Sequence, residues 1–488
     1  EETPYWVYER IGDALHRLGD AEESIRFYLR AVETPGCEDP GDLWYLIGTI
    51  RADLGQTDAA LEALQTAVDT PGYEHAADAW YEIGLTYSDA GSPGLAIEAY
   101  ANALRTPGCD NPGELWESMG VAHARLGEFY QAIDCYQKAL ESPELIRKGR
   151  VYYNMGLDYS DMDEPELAIQ ALEKALASPD FTEQGMALHE MGLTYDEMGD
   201  HVKAIECFEK AMDTPGYDRK GEALISMGNS YSDMQEYEKG LECFRTALDT
   251  PGYDDIQSTL SNMGQAYRGL KEYDEAIDYH MKALSTPGTV GADYILYGVA
   301  VCYLEKGDID RAIEYYRKAL DVAGDLTVGR ALDGLGAAYE AKGDFETALE
   351  YYRRALDTPG FQEAGMTLNS MGVTYARMGE LDKAIECYRK ALDTAGYDQT
   401  GDAWYNMGLE YDAKGEYNRS IECFLAALDA GYDNPGGAEY GLGMAYAELG
   451  MHGPAVEAFT RAARHFQESG RYLELADAEE QLAELGHE

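Results

Sequence analysis

The sequence predicts an all-α solenoid of stacked helical hairpins, and three observations carry that expectation. Gly12, Gly48, Gly84, Gly120, Gly156, Gly192, Gly228 and Gly264 recur every 36 residues; Ala300, Gly336, Gly372 and Gly408 keep the spacing, and Gly443 follows after 35. Nineteen residues after each stands an alanine: Ala31, Ala67, Ala103, Ala139, Ala175, Ala211, Ala247, Ala283, Ala319, Ala355, Ala391, Ala427 and Ala462. Apolar residues make up 45%, enough for burial, although 91 acidic against 38 basic side chains leave a net charge of −53. That composition is not one of a disordered acidic tail. A compact chain of this length would split into roughly three domains, whereas self-similarity at this period marks stacked units that seal one another's apolar faces.

Each unit divides into two antiparallel helices. Leu188, Met191 and Tyr195 fall at i, i+3 and i+7 on a first helix, and Ala204, Phe208 and Ala211 mark one face of a second. Alanine recurs seven positions before the invariant one from Ala60 to Ala312, with Gly240 as the single exception. Small residues let the backbones approach, and side chains such as Tyr100, Tyr136, Phe244 and Tyr388 fill the gaps between them. Met198-Gly199-Asp200 turns the chain within the pair. Thr214-Pro215-Gly216 ends the second helix, and the same tripeptide begins at Thr34, Thr70, Thr106, Thr250, Thr286 and Thr358. Near Ala300, Tyr303 and Gly307 fix the register and exclude Gly298 as the repeat glycine.

Residues 1–465 are thus expected to form thirteen repeats, and residues 466–488 a capping helix. That helix sets Leu475, Ala478, Leu482 and Leu485 against Glu474, Asp477, Glu480 and Glu484, the polar edge a solenoid terminus needs. The amino edge opens on Tyr5, Trp6 and Tyr8. It is a possible surface for self-association, and a head-to-tail contact that does not close would build a filament.

Trp80, Ile83, Gly84, Tyr87, Ala96, Tyr100 and Ala103, and again Trp404, Met407, Gly408, Tyr411, Ser420, Phe424 and Ala427, resemble the signature of the tetratricopeptide repeat (TPR) family. The resemblance runs from residue 5 to about 465. Departures are the 36-residue period in place of 34, Leu15, Arg51 and His123 at the tyrosine position, and Glu439 at the tryptophan position. The resemblance implies a right-handed superhelix whose first helices line a concave groove for protein partners. At the matching positions stand Tyr45, Tyr81, Tyr153, Tyr297 and Tyr405, with Asp89, Asp161, Asp196, Glu197, Asn229 and Asp233. The expected ligand is a protein segment rich in Lys or Arg, drawn by the field and held on tyrosine faces. The Lys/Asn/Arg set that grips a terminal carboxylate in this family is missing: Tyr45, Thr49, Tyr81, Leu85, Glu117 and Val121 take its places.

The remaining expectations are exclusions. So acidic a chain has no general affinity for nucleic acid or anionic membrane, and it contains no run of 18 apolar residues. Phosphate loop and nucleophile elbow are absent, and His189-Glu190 lacks the second histidine of a zinc helix. A non-enzymatic scaffold without cofactor or metal is therefore expected. Cys135, Cys207, Cys243, Cys387 and Cys423 share one phase of the repeat, too far apart for disulfides, and read as thiols that fill the core. Thiols favour a reducing interior, and a first residue other than methionine leaves secretion open.

Overall fold

The computed structural model describes residues 3–486, and these form 27 helices without a strand. The fold is all-α, and within each of its two units successive helices pair into antiparallel hairpins that stack on one another. Its contacts group into two compact units, Glu1–Glu236 with Asp249–Tyr253, and Tyr237–Leu248 with Asp254–Glu488. The first unit holds six successive hairpins, from Tyr5–Arg17 with Ala21–Glu33 to Gln184–Glu197 with His201–Asp213, and then the helix Lys220–Asp233. The second opens with Tyr237–Leu248, continues through six further hairpins, and ends with Tyr472–Gly486 packed on His452–Glu468. His452–Glu468 runs past residue 465, the expected edge of the last repeat.

The repeat glycines show why the period is kept. A Cβ on Gly192 would lie 2.5 Å from the Phe208 ring, so the first helix meets the aromatic of its own partner helix with no room for a methyl group. Ala204 and Ala211, one turn either side of Phe208, are fully buried. The turn inside a hairpin needs a left-handed residue, and Gly199 supplies it at φ +76°. Lys271 occupies the corresponding place at φ +63°. A side chain there costs about 1 kcal/mol or more, so Lys271→Gly is expected to raise the urea midpoint by an equivalent of about 1 kcal/mol.

The loop between repeats makes a second contact that the reading of Thr-Pro-Gly as a stop signal misses. Tyr217 follows Gly216 and covers Gly185, 32 residues back, where a Cβ would meet its ring at 2.8 Å. Gly41 and Tyr73, Gly149 and Phe181, and Gly365 and Tyr397 repeat the arrangement. The loop between repeats is thus anchored by an aromatic plug.

Departures from the repeat have local explanations. Glu439, at the tryptophan position, is buried and takes two bonds from Arg461 of the facing helix, at 2.7 and 2.9 Å. Arg51 donates to the Ala59 carbonyl at 3.0 Å, and His123 Nδ1 lies 2.6 Å from Glu128. Cys135, Cys207, Cys387 and Cys423 are buried with their thiols free. On the second helices an acid pairs with a base four residues on: Glu206–Lys210, Asp278–Lys282, Glu314–Lys318 and Glu386–Lys390 stand at 3.6, 2.6, 2.6 and 2.7 Å. Asp134 pairs with Lys138 as well. Arg354 lies over the Tyr351 ring, 5.2 Å from its centroid.

Candidate functional site

Three residues before each repeat glycine, the first helices present one register of side chains. In the first unit it holds Glu9, Tyr45, Tyr81, Glu117, Tyr153, His189 and Ile225, and in the second Ser261, Tyr297, Asp333, Asn369, Tyr405 and Tyr440. The tyrosines are half-buried, each with part of its ring already in contact. Tyr81 tilts against Tyr100 at 5.8 Å, Tyr153 against Phe181 at 5.6 Å, and Tyr297 against Tyr316 at 5.7 Å. Tyr405 stacks on Tyr432 at 4.5 Å, so one of its faces is taken.

Charge is distributed unevenly along this register. In the first unit the Tyr45 hydroxyl stands beside Glu82 of the next repeat, and burial with the neighbouring Glu82 and Asp78 pushes its pKa up to about 12. The Glu82 carboxyl is itself raised, by burial first and then by the charges of Asp53 and Asp78. Like-charged groups crowded this way hold a negative field that proton uptake or a nearby cation relieves. Asp89, Asp161, Glu197 and Asp233 are exposed at the carboxyl ends of their helices, and Asn229 is half-buried. Asp196 is half-buried, accepts Ser230 Oγ at 2.5 Å and lies 2.8 Å from His201 Nδ1.

Several bases on this face are spent inside the protein. Arg125 donates to the carbonyl and hydroxyl of Ser88 at 3.1 and 2.7 Å. Arg150 reaches the buried Glu117 at 3.4 Å. In the second unit Glu340 is satisfied three times over, by the Tyr352 hydroxyl, Thr374 and Arg377, each at 3.0 Å. Arg330 pairs there with Glu363 at 2.6 Å.

Three members of the register, Glu117, His189 and Asp333, stand outside the tyrosines and acids expected from the sequence to line the groove. Glu117 is held by Arg150. Buried His189 takes the Tyr217 hydroxyl at 2.7 Å on Nδ1, and burial lowers its pKa to about 4. Asp333 accepts Thr367 at 2.6 Å, and burial raises its pKa to about 6. Their alignment with Tyr45 and Tyr81 is the signal that finds them. At the amino edge Tyr8 packs against Phe27 at 6.4 Å and Tyr5 is partly covered, leaving Trp6 50% exposed.

Models described as "Tetratricopeptide repeat" match the chain over residues 113–180, 292–358 and 363–431, over 45–113 and 405–470, over 257–286, and over 7–34, 187–214 and 221–250. Among solved structures, yeast Tom70 is 15% identical, with 95% of this chain and 96% of that one covered and a TM-score of 0.46. The Cut9–Hcn1 hetero-tetramer of APC/C is 14% identical over 97% of this chain and 95% of that one, with a TM-score of 0.42. A tetratricopeptide repeat protein of Parabacteroides merdae is 17% identical over 54% of this chain and 98% of that one, again at 0.42. No curated protein matches the chain.

Proposed function

Because the chain belongs to the tetratricopeptide repeat family, whose members serve as protein–protein interaction scaffolds, we propose that it is a non-catalytic scaffold that takes up Lys- or Arg-rich segments of its partners along the first-helix face of the first unit. The observation that carries this reading is the group of Tyr45, Glu82, Asp53 and Asp78, where burial and the neighbouring negative charges raise the pKa of the Glu82 carboxyl and of the Tyr45 phenol. A lysine or arginine placed there lowers the energy of all three carboxylates at once. Tyr81 and Tyr153 offer their remaining ring surface to the apolar stems of such residues.

The second unit supports this reading less, since Glu340 and Glu363 already hold arginines. Assembly end to end is a separate reading that rests on the half-exposed Trp6. Electron micrographs of concentrated protein showing single particles alone would end it.

Binding of a fluorescent Lys/Arg-rich peptide tests the proposal. Affinity is expected to fall by at least about tenfold between 50 and 500 mM salt, because exposed charges are screened within about 10 Å at 0.1 M. The Glu82→Gln, Asp53→Asn double variant should weaken the low-salt affinity to a similar degree. Affinity indifferent to both salt and substitution would overturn the reading.

A further inference from the structure

The geometry assigns a divalent-cation site to Asp196, His201 and Asp233 of the first unit, a site that owes nothing to the basic-segment reading above. One ligand atom from each lies within 4.8 Å of the other two. They come from three helices of two consecutive repeats: Asp196 from Gln184–Glu197, His201 from His201–Asp213, and Asp233 from Lys220–Asp233. Atoms sharing one zinc-sized ion stand about 3–3.5 Å apart, and the exposed Asp233 side chain can close the remaining gap by rotating.

Two features single this place out from the acidic surface in general. The first is that the repeat is broken at it. The register of His201 holds Thr57, Pro93, Phe129 and Pro165 in earlier repeats, and that of Asp196 holds Ala52, Ser88, Ala124 and Ser160; acids return to the Asp196 register at Glu340 and Asp412, but there Phe345 and Tyr417 take the place of the histidine. A nitrogen donor and an extra carboxylate thus enter the module together, at positions the fold brings into contact. The second is the support behind the ligands. Ser230 Oγ donates to Asp196 Oδ1 and holds that carboxylate in place, while His201 Nδ1, 2.8 Å from the same oxygen, gives up that contact when the imidazole turns a lone pair to the ion and Oδ2 of Asp196 joins it.

Electrostatics favour occupancy. Asp196 and Asp233 both lie in the last turn of their helices, where the negative pole of the helix dipole disfavours a second negative charge. A dication cancels both carboxylates and faces both poles. One imidazole and two carboxylates select a borderline metal such as Zn²⁺, with water filling the other positions. Ca²⁺ requires six to eight oxygens and is not matched by this donor set.

The test uses the full chain stripped with chelator and titrated with Zn²⁺ by calorimetry in 0.5 M NaCl, and with Co²⁺ by absorption. The expected result is one saturable Zn²⁺ per chain and a Co²⁺ spectrum with a nitrogen ligand. His201→Ala should abolish both, and Ser230→Ala should weaken Zn²⁺ binding about tenfold or more. Glu206→Gln, an exposed acid on the helix of His201, should leave binding unchanged. Helical circular dichroism confirms that each variant folds. Binding that survives His201→Ala, or that Ca²⁺ displaces at equal concentration, would show only a sticky acidic surface and overturn the assignment.

Discussion

Asp158→Thr is expected to stabilise the first unit by about 2–4 kcal/mol at pH 8 and to have little effect at pH 4. Asp158 is 5% exposed, and its Oδ2 is buried without a hydrogen-bond partner. Burial, and then the charge of Asp161, push its pKa up to about 7 from 3.8. The folded state therefore favours the neutral acid. The penalty is absent below about pH 4, grows as the pH rises through the interval to 7, and stays constant above it. The same register carries Thr86, Thr194 and Thr374, whose hydroxyls donate to the carbonyls of Glu82, Glu190 and Ser370 four residues back, at 2.7, 2.9 and 2.9 Å. Threonine at 158 would find the Asn154 carbonyl in the same way, so it removes the charge without creating an orphan. Urea titrations at pH 4 and pH 8 check this. A gain of equal size at both would show that packing, and not ionisation, separates the two side chains.

Asp158 also shows where reading the chain stops short. Recurrent Gly192, Ala204, Phe208 and Ala211 placed two helices per repeat because their packing depends only on size and period, which a linear search detects. The aromatic plug was equally visible, since glycine stands 32 residues before Tyr73, Phe181, Tyr217 and Tyr397, while Ala77 stands before Cys109. Reading Thr-Pro-Gly only as a helix stop passes over the aromatic that follows it. Hidden from any pattern was whether a polar residue inside the stack finds a partner. Glu439 does, in Arg461, whereas Asp158 Oδ2 does not. Partnership depends on rotamers on neighbouring helices, and one-dimensional spacing carries no record of them. The division into two compact units was hidden for a similar reason, because the repeat runs through residues 236–254 without a change of period.

The acid groups of the first-helix face separate along the same line. Their identity and spacing were legible, and their state was not. Glu340, alike in sequence to the acids around Tyr45, is neutralised by Arg377 from the next repeat. Glu82 meets Asp53 and Asp78 instead. A count of charges treats the two as equal, yet only the second has binding energy left to offer a basic ligand.

His280→Phe is expected to stabilise the second unit by about 1–3 kcal/mol at pH 7.5 and by more in acid. His280 stands in the register of Phe208, Phe244, Tyr316 and Phe424, is 1% exposed, and has neither ring nitrogen hydrogen-bonded. Phenylalanine removes both orphaned atoms. Space for the ring exists, because His280 lies between Gly264 and Gly298 as Phe424 lies between Gly408 and Gly441. Burial, with a smaller push from Arg268, lowers the histidine pKa to about 4 from 6.5. The neutral ring is the folded form, so its contribution is intact above pH 6.5 and is lost as the pH falls towards 4, by up to about 3 kcal/mol. In this window Asp158 works the other way, since its penalty shrinks as the pH falls. The wild-type second unit should therefore lose protection in acid while the surroundings of Asp158 gain it, and hydrogen exchange resolved by segment at pH 4.5 and 7.5 reads both. In His280→Phe the acid loss around residues 256–305 should be reduced while the first unit keeps its profile. An unchanged acid loss there would assign it to other groups and leave His280 as a tolerated polar residue of the core.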